Sequence, residues 1–191
     1  MPKGTGFRSN GRAMITSAKL VARPNLRFLA GHPAHLVALG FGVWLAPVAP
    51  GTFGTLLALP LYTLLQPLMA PADLLLLLAF LYLAGIWVCD KAGRNLGVED
   101  HKAIVWDEIV AFLLVLFFTP ASLLWQAIAF LLFRLFDIFK PGPIRAIERM
   151  FRGGFGVMVD DLVAAFFTLL CLTLIKVLLP SPGGLFGPGP V

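Results

Sequence analysis

The chain has 191 residues, 59% of them hydrophobic and only 13% charged, with a formal net charge of +5. A soluble domain is roughly half apolar and about a quarter charged, so this composition leaves too much apolar surface for one soluble core to hide. A single membrane-embedded domain is the expectation at this length.

Residues 1–33 carry Lys3, Arg8, Arg12, Lys19, Arg23 and Arg27 and no acid. No apolar run with a small-residue cleavage site follows cleanly, so this is not read as a secretory signal. Basic residues beside a membrane segment favour the cytoplasm, and residues 1–31 are read as a cytoplasmic arm. The arm lacks interleaved aromatic residues, so no nucleic-acid partner is expected. Residues 34–47 are apolar and end at Pro47 and Pro50. Pro50-Gly51-Thr52-Phe53-Gly54-Thr55 then opens a helix read at 55–69, with Pro60 and Pro67 inside it. Residues 74–89 form the most hydrophobic helix, and Asp73 is read as its N-cap.

Residues 109–133 contain no charge and are interrupted at Thr119-Pro120. They fit one kinked helix or a hairpin of two helices, each roughly 20 Å long at ~1.5 Å per residue. The flanking stretches 90–108 and 134–161 are rich in Lys and Arg. If cationic loops stay cytoplasmic, an even number of crossings separates them, and two hairpins satisfy that. A last helix at 162–179 would carry a Pro/Gly-rich tail, 180–191, read as disordered. Cys89 and Cys171 lie in apolar runs and are read as free thiols. The fold class is therefore an all-α integral membrane protein, a compact bundle of short, proline-broken transmembrane and re-entrant helices spanning 32–179.

Nine of the ten acids lie in 90–108 or 134–161. Asp107 and Glu108 stand just before the run at 109, Asp160 and Asp161 just before the run at 162, and Asp137 follows position 133. Five carboxylates at helix ends and one depth repel one another, and a hard divalent cation resolves the repulsion. Oxygen-only donors suit magnesium better than zinc. Asp107, Glu108, Asp137, Asp160 and Asp161 are thus the candidate metal ligands and catalytic residues. Simple helix capping is the competing account of each acid pair.

Arg134, Asp137 and Lys140 share one face if the helix continues past 133. Arg134 and Lys140 are read as neutralising phosphate oxygens. Lys140-Pro141-Gly142-Pro143 would end that helix, and residues 144–152 are read as an interfacial amphipathic helix. Gly153-Gly154-Phe155-Gly156 is read as a mobile linker. Thr52 and nearby amides could orient a phosphate. His101 is either a proton donor or an ordinary loop histidine.

Four stretches resemble one family. Pro50-Gly51-Thr52-Phe53-Gly54-Thr55 is similar to its P-G-T-x-G-S element. His101-Lys102-Ala103-Ile104-Val105-Trp106-Asp107-Glu108 is similar to H-x-x-I-V-W-D-E. The stretch from Arg134 through Phe136-Asp137-Ile138 and Lys140-Pro141 to Pro143-Ile144-Arg145 resembles R-x-F-D-I-x-K-P-x-P-I-R. Gly153-Gly154-Phe155-Gly156-Val157-Met158-Val159-Asp160-Asp161 resembles G-G-x-G-x-M-x-D-D. These are elements of bacterial phosphatidylglycerophosphatase A. The resemblance implies a magnesium-dependent, multi-pass enzyme of the bacterial inner membrane with its active site facing the cytoplasm. It would convert phosphatidylglycerophosphate to phosphatidylglycerol and inorganic phosphate. Thr52, Thr55, Arg134, Lys140, His101 and Arg145 are then the candidate substrate contacts, and membrane lipids the surroundings. Thr55 replaces an expected Ser and keeps the hydroxyl, while Ala111 and Ala165 replace expected Gly.

The attacking group could be a metal-activated water or a carboxylate. An ion-coupled transporter is the rival of a different class. Its acids would lie inside helices near the midplane, whereas these flank the apolar runs. A structural factor whose acids only cap helices is a third reading.

Overall fold

The computed structural model describes residues 24–140, 142 and 150–178. Most of the basic arm, Arg145 with most of the 144–152 segment, and the tail lie outside the described residues. Among those described there is helix and no strand. The helices are α1 (Leu26–Ala30), α2 (Pro33–Ala38), α3 (Pro50–Leu65), α4 (Pro71–Leu96), α5 (Trp106–Phe118), α6 (Leu123–Phe139) and α7 (Gly153–Leu178).

The 109–133 run resolves into two helices. Thr119 leaves helical geometry with ψ 137°, and Ser122 restarts the chain by accepting the Trp125 amide at 3.5 Å. The Glu108 end of α5 meets the Arg134 end of α6, so the two run antiparallel. The helix of α6 continues to Phe139, and Lys140 closes it at φ 41°. That continuation is what puts Arg134, Asp137 and Lys140 on one face.

Several boundaries differ from the sequence reading. Helix α3 starts at Pro50 rather than Thr55, because proline suits the first helical position and Ala49 turns the chain with φ 48°. Pro60 stays inside α3 without ending it. The N-cap of α4 is Ala70; Asp73 sits in the first turn with no capping bond, since Pro71 already sets the start. Gly153–Gly156 is the first turn of α7, not a linker. The region 34–47 is no single helix, because Phe41 (φ 55°) and Gly42 (φ 118°) break it after α2.

Helix α5 is the axis of the fold. Ile109, Val110, Ala111, Phe112, Leu113, Val115 and Leu116 are all buried, as expected for a helix apolar on every side. It packs against α3, α4, α6 and α7. The Trp106 indole ties it to α4 by donating to the Leu81 carbonyl at 3.3 Å. Ala111 and Ala165, where glycine was expected, both lie in this core. Cys89 is buried, Cys171 half-buried, and both are free.

Helices α4 and α7, at 26 residues each, are long and apolar enough to cross a membrane. Only 28% of the apolar window in each is buried. Phe80, Leu83 and Trp87 on α4 and Phe166, Leu170 and Val177 on α7 are all exposed. Water would penalise such a surface, and lipid would not. Buried hydroxyls inside this apolar body turn inward: Thr55, Thr119 and Thr168 each donate to the carbonyl four residues back at 2.7–2.9 Å.

Small residues let α4 and α7 approach closely. Gly85 lies against Met158 and Trp106, and a Cβ on Gly154 would collide with the Ile86 carbonyl and the Asp90 backbone. Backbone cannot yield as a side chain does. Gly154→Val should therefore destabilise the fold by about 3 kcal/mol, read as a lower thermal midpoint with loss of activity.

Candidate active site

The first turn of α3, the start of α5, the end of α6 and the second and third turns of α7 converge at one end of the helices. They enclose a cavity of about 340 Å³. All five predicted carboxylates line it. Asp107, Glu108 and Asp161 come closest, with one oxygen from each lying within 4.8 Å of the others. Asp107 and Asp161 are buried and Glu108 is half-buried. Asp161 also faces Asp137.

The two predicted cations are committed to these acids. Arg134 Nη1 lies 2.6 Å from Asp137 Oδ2, 3.6 Å from Glu108 Oε1, and donates to Thr55 Oγ1 at 3.3 Å. Thr55 in turn donates to the Gly51 carbonyl at 2.9 Å. Its hydroxyl thus sits behind the cavity wall and orients Arg134. Lys140 Nζ lies 3.2 Å from Asp160 Oδ2. The left-handed backbone at Lys140 turns its side chain back toward α7.

Asp160 and Asp161 belong to the body of α7, not to a helix end. The first turn of α7 is anchored instead by Glu99 and Asp90. Glu99 Oε2 accepts the Gly153 amide at 3.1 Å, and Asp90 Oδ1 accepts the Gly154 amide at 3.4 Å. Carboxylates at a helix N-terminus are favourable, and this pair sets the depth at which the two aspartates enter the cavity. Sequence reading missed this role, because both acids looked like ordinary loop charges.

The remaining predicted residues lie at the margin. Thr52 is half-buried, and its amide donates to the Ala49 carbonyl at 2.9 Å. His101 is buried, with Nδ1 accepting the Ala103 amide at 3.1 Å, and burial holds it below the usual histidine range. It shapes the loop before α5 and is not among the residues lining the acidic cavity. Asp100 and Lys102 do line it, and sequence reading did not single them out.

Gly51 is the closest backbone approach in the site. A Cβ there would fall on the Glu108 carboxylate and come into contact with Arg134. Gly51→Ala should lower phosphate release by about 10²-fold, since a misplacement near 1 Å costs that much. The protein should remain folded, because Ala favours helix over Gly by roughly 0.5–1 kcal/mol. Turnover and thermal unfolding, measured on the same preparation, separate the two effects.

The donor set fits a hard cation. Asp107 Oδ1, Glu108 Oε2 and Asp161 Oδ2 are buried with no hydrogen-bond partner. Six carboxylates face three cations around the cavity, a formal excess of three negative charges. Unneutralised buried charge of this density is costly, and an oxygen-preferring divalent ion offsets it.

The phosphatidylglycerophosphatase A family model matches residues 36–176. A phosphatidylglycerophosphatase A of Haemophilus influenzae is 43% identical over 147 residues, covering 76% of this chain and 90% of that protein. One from Escherichia coli is 40% identical over 148 residues, covering 76% and 84%. A Bacteroides thetaiotaomicron protein provisionally named a phosphatidylinositol-3-phosphatase is 38% identical over 151 residues, covering 74% and 92%. No solved structure matches. The matched span contains the whole acidic cavity and the helices that build it, and the chain belongs to the phosphatidylglycerophosphatase A family.

Proposed function

We propose that the chain hydrolyses the terminal phosphate monoester of phosphatidylglycerophosphate, releasing phosphatidylglycerol and inorganic phosphate. Water adds across the ester: its hydroxyl goes to phosphorus, the bond from phosphorus to the glycerol oxygen breaks, and that oxygen takes up a proton. The observation that carries this reading is the convergence of Asp107, Glu108 and Asp161 within 4.8 Å, each with an unpartnered buried oxygen.

Asp107, Glu108 and Asp161 would hold magnesium, with Asp137 and Asp160 beside them. A bound magnesium ion supplies acidity to a water and neutralises phosphate charge. Arg134 holds Glu108 and Asp137 in place against their mutual repulsion. Lys140, steadied by Asp160, offsets charge on the phosphoryl oxygens. The long exposed faces of α4 and α7 sit in lipid, as parts of a compact, multi-pass bundle with breaks at Thr119-Pro120. The basic arm and the Lys/Arg-rich stretches support an orientation in which the acidic end faces the cytoplasm from the inner membrane.

Purified full-length protein with phosphatidylglycerophosphate in detergent micelles should release phosphate with magnesium and stop when EDTA is added. No release at any magnesium concentration would overturn the reading. Faster release from an inositol phospholipid would move the substrate toward that named for the Bacteroides relative.

A further inference from the structure

The acidic cavity has a neighbour. Ala49, Pro50, Asp100 and Lys102 line both it and a larger space of about 790 Å³. The larger space runs between the Trp44–Pro47 segment and the loop 98–103, with Trp44, Leu45, Pro47 and Val98 giving it an apolar lining. The two spaces meet where Ala49 holds its left-handed turn, φ 48°.

One uncommitted charge marks this second space. Lys102 is exposed at the junction and makes no ion pair or hydrogen bond with any described residue. It differs in this from Arg134 and Lys140, whose charges are held by Glu108, Asp137 and Asp160. A cation at the mouth of an acidic cavity, beside an apolar groove, suits an amphiphile that carries its own second negative charge.

We propose that this groove seats the phosphatidyl half of the substrate, with Lys102 pairing with the phosphodiester that lies beyond the terminal phosphate. The inference rests on the hydrolytic reading of the acidic cavity and names what selects its substrate. The terminal phosphate enters the carboxylate cluster. The diester's single charge, one glycerol away, would otherwise face an excess of negative side chains, and Lys102 answers it with a charge-assisted contact. The apolar lining covers the start of the acyl chains. A lipid with only one phosphate presents nothing to Lys102.

The test compares wild type, Lys102→Gln and Lys102→Arg, all full length, with magnesium in mixed micelles. Lys102 is exposed, so folding is not at stake. In Lys102→Gln the KM for phosphatidylglycerophosphate should rise about tenfold, ~1.4 kcal/mol, with kcat little changed. Lys102→Arg should restore most of it. The concentration of magnesium giving half-maximal rate should stay put, and the KM for phosphatidic acid should move far less. A Lys102→Gln KM for phosphatidylglycerophosphate within about twofold of wild type, well under 1 kcal/mol, overturns the subsite. Equal losses on phosphatidic acid overturn it too, because the effect would then lie at the first phosphate. A wild type inactive on phosphatidylglycerophosphate removes the hydrolytic reading and this subsite together, whereas an active wild type with an indifferent Lys102 removes the subsite alone.

Discussion

Asp161→Asn should lower phosphate release by at least about 10³-fold, the scale of losing a preorganised electrostatic contact at the reacting group. Asp161 is 4% exposed and shares the closest carboxylate cluster with Asp107 and Glu108. Asn keeps the shape and one oxygen but removes the charge that would hold a cation. The same change should raise the thermal midpoint in EDTA by a few degrees, about 1 kcal/mol in a chain of this size. The physical reason is repulsion: without a cation, three closely spaced carboxylates oppose one another, and neutralising one relieves the other two. Magnesium should stabilise the wild type by mass action and the variant much less. Phosphate release near the wild-type rate would take Asp161 out of the site, and an unchanged response to magnesium would take the cation out of the cluster. Asp107→Ala should show the same pattern.

Arg134→Met carries the second large effect. The Arg134 side chain is 12% exposed and joins Asp137, Glu108 and Thr55. Removing one partner from a buried ion pair typically costs 3–5 kcal/mol, because the surviving charges remain buried and uncompensated. A midpoint drop on the order of 10 °C follows, with loss of activity as Glu108 and Asp137 swing apart. Adding Asp137→Asn to Arg134→Met should recover part of the stability and none of the activity. That non-additivity distinguishes a shared ion pair from two independent sites. If the single variant melts like the wild type, Arg134 is not what holds the acids together.

Both predictions rest on residues that the sequence already marked. Asp107-Glu108 and Asp160-Asp161 each precede an uncharged run, and Asp137 lies three residues beyond Arg134. In a chain this apolar, charge survives only where something requires it, so the acids stood out by contrast. Thr52 and His101 stood out through the stretches they belong to; neither is among the residues lining the acidic cavity, and His101 lines the larger space beside it. Thr52 gives its amide to Ala49, and His101 takes the Ala103 amide. A stretch of sequence does not distinguish a side chain that faces the cavity from one that shapes the loop beside it.

The amino-acid sequence by itself determined the helical class, the apolar body, the break at Thr119-Pro120 and the identity of the five carboxylates. Each is a property of composition or local spacing, and local physics writes those directly into the order of residues. Only the tertiary structure decided where α3 and α7 begin, that Gly51 presses against Glu108, that Glu99 and Asp90 anchor α7, and that Lys102 stands between two cavities. A glycine is helical or not according to what packs against it, and a charge is committed or free according to what lies across from it. Both depend on residues tens of positions away in the chain, brought near only when the helices pack.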